Sequence, residues 1–164
     1  MNVTFTKTGE RRYRISVEGP GVTASWMEPA PGFDEKLPHD VAHFVVENEL
    51  GLMGGVFGQL ASGGTAGTFH PVDEKLRRKI TRRGKKLAAA VRDDAGFSEK
   101  VVAAAHARWA GMQFIPDVPE GLSEADLESI CREFDAVSKI WSGLDVGESM
   151  TLEWRAGKGR KPGR

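Results

Sequence analysis

Absences bound this sequence before any motif does. It has one cysteine, Cys131, so no disulfide can form within the chain, and a reducing compartment is the simplest expectation. No apolar run approaches the roughly 20 residues that a membrane-spanning helix needs. The opening MNVTFTKTGERRYRI lacks the apolar core of a secretion signal, which adds to the expectation of a cytoplasmic protein. Neither sign of charge is in excess. With 23 basic and 23 acidic residues the formal net charge is zero, which argues against binding nucleic acid through bulk charge but leaves local patches open. Neither the P-loop spacing nor GxGxxG occurs, so no nucleotide-cofactor fingerprint is present, and there is no internal repeat.

What remains is ordinary globular material. The chain has 164 residues, of which 40% are hydrophobic and 28% charged, enough for one domain with a real core. That domain is expected over 1–156, followed by a Gly-rich basic tail, 157–164, too polar to pack.

Three segments near the N-terminus alternate with period two. Val3 and Phe5 oppose Thr4 and Thr6; Tyr13, Ile15 and Val17 oppose Arg12, Arg14 and Ser16; Val22, Ala24 and Trp26 oppose Thr23 and Ser25. Gly9-Glu10 and Gly19-Pro20-Gly21 separate them, so a three-strand antiparallel meander is predicted. Ser149–Arg155 alternates again, with Met150, Leu152 and Trp154 on one side, and predicts a returning fourth strand. Strands, then helices, then a strand make the fold class α+β: an antiparallel sheet of about four strands, covered on one face by four or so helices.

The first helix is predicted over Leu37–Gly51. Pro38 suits its first turn and Gly51 the position just past its end. Val41, Ala42, Val45, Val46 and Leu50 gather on one side. His39, His43 and Glu47 fall at successive i, i+4 positions and form a polar stripe, with Asp40 beside it. Two histidines one turn apart can reach one metal ion, and a neighbouring carboxylate can be a third ligand or orient an imidazole. The reading is a zinc-type site with His39, His43 and Glu47 as ligands and Asp40 as base or orienter. The plain alternative is a solvated polar side of an amphipathic helix.

His39-Asp40-Val41-Ala42-His43 resembles the zincin motif HExxH, with Asp where that family has its catalytic Glu. The resemblance implies a metal-dependent hydrolase. The shorter Asp side chain departs from the family pattern, and no second motif supplies that family's third ligand. LPHDVAHFVVENELGL followed by GGVFG is similar to a family of small uncharacterised bacterial proteins, a resemblance that carries no function.

The stretch after Gly51 holds six glycines and reads as a short helical turn over Val56–Ala61 framed by loops. Pro71–Asp94 is predicted as a basic helix, kinked or split at Gly84, whose apolar stripe is Leu76, Ile80, Leu87 and Val91. Its cations over 75–86 offer a second function class: a non-enzymatic module binding an acidic protein, a second copy of the chain or, less well without interleaved aromatics, nucleic acid. Phe97–Gly111 is predicted as a helix capped by Ser98, carrying His106. Ser123–Ser142 is predicted as a helix with a Ser123/Asp126 capping box, and Cys131 lies on its apolar stripe as a small hydrophobe. Its acidic side is expected to pair with the basic helix, within one molecule or between two.

Overall fold

A computed structural model describes residues 1–90, 92–114 and 116–155, with side chains given for all of these except 87–93. The tail expected over 157–164 lies outside the described residues.

Alternation produces the sheet. β1 (Asn2–Gly9) and β2 (Arg12–Glu18) pair antiparallel, with Val3 opposite Val17 and Phe5 opposite Ile15. Opposed residues share a face, so Val3, Phe5, Tyr13, Ile15 and Val17 form one buried apolar surface. β5 (Ser149–Glu153) returns along the other edge of β1 and sets Met150 beside Phe5.

The third strand differs from its expectation in length and face. β3 spans only Ser25–Met27, with Met27 opposite Ile15 and Ser25 opposite Val17. Ser25 and Met27 are therefore the buried pair, and Trp26 turns outward beside Arg14 and His70. Pairing with β2 sets the register, and a slip of one residue exchanges the two faces. A further strand, β4 (His70–Pro71), joins the edge of β3. The fold is α+β, and its antiparallel sheet has five strands in the order β4-β3-β2-β1-β5 rather than about four. Two residues are too few to show alternation in sequence.

The helices cover the apolar face. α1 (His39–Leu50) packs against α5 (Glu124–Ser142), α4 (Arg92–Trp109) and the short α2 (Val56–Ala61). Its Phe44 ring meets Phe5 of the sheet edge-on at 6.1 Å between centroids. Every residue from Asp40 to Glu47 is buried, so within the polar stripe His43 and Glu47 lie in the interior while His39 is exposed. Pro38 stands at the N-cap, and Gly51 ends the helix in the left-handed conformation, φ 69°.

The basic segment expected over 71–94 divides into a 3₁₀ turn (Glu74–Leu76), α3 (Arg77–Ala90) and the start of α4. Gly84 lies within α3 rather than at a break. Ile80 is buried as expected, Leu76 is partly exposed, and the side chains of Leu87 and Val91 lie outside the described set. Ser98 is not an N-cap, because α4 begins earlier, at Arg92, and carries Ser98 into the interior. α5 does begin with the capping box: the Ser123 hydroxyl accepts the Asp126 N–H, and the Asp126 carboxylate accepts the Ser123 N–H. Its Leu127, Ile130, Phe134, Val137 and Trp141 are buried. The Cys131 thiol is half-buried and burial pushes its pKa up, which suits a packing role. α5 packs on α1 and α4, where Arg108 pairs with Glu124, whereas α3 packs on α2 and the 3₁₀ turn. Within one molecule, the acidic helix thus does not pack on the basic one. No helix among the described residues is long and apolar enough to cross a membrane.

Candidate metal centre

The packing of α4 along α1 brings three side chains to one point. His39, His43 and Glu99 each present a ligand atom, and these atoms lie within 4.8 Å of one another. His39 opens α1, and its N–H donates to the Gly32 carbonyl at 3.0 Å. Gly32 has φ +71°, and a Cβ there would lie 2.6 Å from the Cβ of His39, so this contact requires glycine. The His39 and His43 rings meet at 4.5 Å between centroids.

The two nitrogens of His43 have different surroundings. Nδ1 lies 3.1 Å from the Ser98 hydroxyl, and that hydroxyl lies 3.3 Å from Oε1 of Glu47. Ser98 has one hydrogen. Donated to the carboxylate, it leaves the hydroxyl oxygen to accept from Nδ1–H. This relay selects the tautomer whose lone pair is on Nε2. Among the described residues Nε2 is buried without a hydrogen-bond partner, and it lies 3.4 Å from Oε2 of Glu99. A lone pair facing a carboxylate oxygen is repulsive unless a cation stands between them. In the metal-free protein a proton on Nε2 relieves the repulsion. Burial lowers the pKa of His43, but the Glu47 hydrogen bond and the charges of Glu99, Glu47 and Asp40 outweigh it and leave the pKa raised.

The other two residues of the sequence-read site lie behind this point rather than in it. Glu47 is fully buried, and its Oε1 and Oε2 accept the N–H groups of Val56 and Phe57 at 2.9 and 2.8 Å. It satisfies the first amide groups of α2 and orients His43 through Ser98. Asp40 is hydrogen-bonded to the Tyr13 hydroxyl, which also contacts the Pro31 carbonyl. Burial pushes the Asp40 carboxyl above the usual carboxylate range, and burial together with Asp40 pushes the Tyr13 phenol well above its own. Of the four residues read from the sequence, the structure brings His39 and His43 together with Glu99, and places Glu47 and Asp40 in supporting contacts. Glu99 and Ser98 were missed, because the spacing that flags ligands on one helix says nothing of its neighbour.

A cavity of about 370 Å³ opens beside the cluster. His39, Glu99, His106 and Asp34 are its polar lining, and the remainder is apolar. His70 is at the far edge of the sheet, with its ring 5.3 Å from Trp26. No family model matches the sequence, and no curated protein or solved structure matches it.

Proposed function

We propose that His39, His43 and Glu99 bind a divalent transition metal, zinc or another, and that the bound metal serves hydrolysis in the adjoining cavity. The observation that carries this reading is the buried, unpartnered Nε2 of His43 facing Glu99. Two imidazoles and one carboxylate are the donor set of hydrolytic zinc, with a position left for water. Zinc would lower the pKa of that water to about 7. A metal held by His39, His43 and Glu99 would thereby supply a nucleophilic water for hydrolysis of an acyl substrate in the cavity. The Ser98–Glu47 relay behind His43 is the outer support that metal-ligating histidines use.

Elemental mass spectrometry of untagged protein tests the reading. Near-stoichiometric zinc is expected, lost in the folded His39→Ala/His43→Ala double variant and strongly reduced in Glu99→Ala. Protein that takes up no transition metal even with zinc supplied would overturn it.

A second reading rests on the basic face of α3. Of Lys75, Arg77, Arg78, Lys79, Arg82, Arg83, Lys85 and Lys86, only Arg77 has an ion-pair partner among the described residues, Glu74 at 3.6 Å. Arg77, Arg78, Arg82 and Lys85 flank a hollow of about 520 Å³. In this reading the face binds a polyanionic partner, independently of the metal cluster.

A further inference from the structure

The cavity beside the cluster has a composition that selects among ligands. Ala42, Val102, Ala103 and Ala107, all short side chains, line it together with Met112 and Phe114. Phe114 is 79% exposed and Met112 49%, so large apolar groups of the lining stand in water. No Lys or Arg lines it among the described residues, while Asp34 and Glu99 both do. The cavity's volume, about 370 Å³, falls in the range that encloses small molecules.

The cavity also has direction. Glu99 and His106 both line it and are seven residues apart on α4. That spacing puts them on one face, about 10 Å apart along the helix. Val102 and Ala103 lie between the metal-binding residue Glu99 and His106 on α4.

We infer that the cavity takes an uncharged acyl compound, an amide or ester, whose carbonyl lies at the His39–Glu99 end and whose apolar body of several carbons lies against the alanines. The inference rests on the metal reading above and specifies its substrate class. A carboxylate at the far end of the substrate would lose its hydration against the apolar lining, which disfavours it.

Calorimetry on the zinc-loaded protein tests it with three probes: acetohydroxamic acid, hexanohydroxamic acid, and the monohydroxamic acid of adipic acid, which has the same metal-binding end and a carboxylate at the other. Each buried methylene is worth about fourfold in affinity. Hexanohydroxamic acid is expected to bind at least tenfold more tightly than either of the others. Ala103→Trp fills the cavity from an exposed helix position. It is expected to erase the gain from chain length while leaving zinc affinity unchanged. Zinc-loaded protein that binds the three probes equally, or prefers the carboxylate-tipped one, or keeps its preference in Ala103→Trp, would overturn the substrate class and leave the metal reading standing. A zinc titration without uptake would come first and would overturn both.

Discussion

The carboxyl carbon of Glu47 fills the space that a side chain on Gly55 would need: a Cβ built there would lie 2.1 Å from it. The two residues form a lock between the end of α1 and the start of α2, because the same carboxylate accepts the Val56 and Phe57 N–H groups. Gly55→Ala is therefore expected to lower stability by about 1–3 kcal/mol, as overpacking does. Urea unfolding would measure it, and a variant as stable as the parent would show that Glu47 has another place to go.

Ser98 connects that lock to the cluster. Ser98→Ala removes the hydroxyl between His43 Nδ1 and Glu47. Loss of such an outer partner weakens metal binding by about 10- to 100-fold. Competition with a chromophoric chelator would read the change, and an unaltered zinc affinity would count against the relay.

The protonation of His43 sets a pH dependence. Its folded pKa is raised above 6.5, so in metal-free protein its proton contributes stability that is fully present below pH 6.5 and lost as pH rises through the folded value. Zinc must displace the same proton. Its affinity is expected to climb at least tenfold per pH unit below the folded pKa of His43. Chelator competition across pH 5–9 would follow the climb. An affinity that levels below pH 6.5 would contradict the raised pKa.

Asp40 and Tyr13 form a buried pair away from the three ligand atoms. Tyr13→Phe leaves the Asp40 carboxyl without its hydroxyl partner, at a cost of about 1–3 kcal/mol. Thermal or urea unfolding would show it. Zinc stoichiometry is expected to survive both Tyr13→Phe and Asp40→Asn, whereas loss of zinc in Asp40→Asn alone would return Asp40 to the ligand set.

The basic face of α3 makes a separate prediction. Arg78→Glu/Arg82→Glu is expected to weaken binding of a polyanion such as heparin at least tenfold in low salt while leaving zinc content unchanged. Heparin-column retention and its slope against salt would measure this. Equal retention of parent and variant would remove the second reading.

Much of the architecture is local and was legible. β1, β2 and β5 announce themselves because a strand exposed on one side must alternate. The start of α5 is written in Ser123 and Asp126, which satisfy each other's backbone within one turn. His39 and His43 are visible together because one helical turn brings them side by side. Where partners come from distant parts of the chain, the sequence was silent or misleading. Trp26 faces outward because β2 sets the register of β3, and no residue near Trp26 encodes that. Ser98 and Glu99 reach the histidines only because α4 packs along α1. Glu47 has the same spacing as a ligand, yet its carboxylate is claimed by the amide groups of α2, because a fully buried charge must take whatever donors the surrounding fold provides. Local pattern is enough to say which segments become strands and helices and which helix carries the histidines; which carboxylate meets them is settled by packing, because it depends on contacts between segments far apart in the chain.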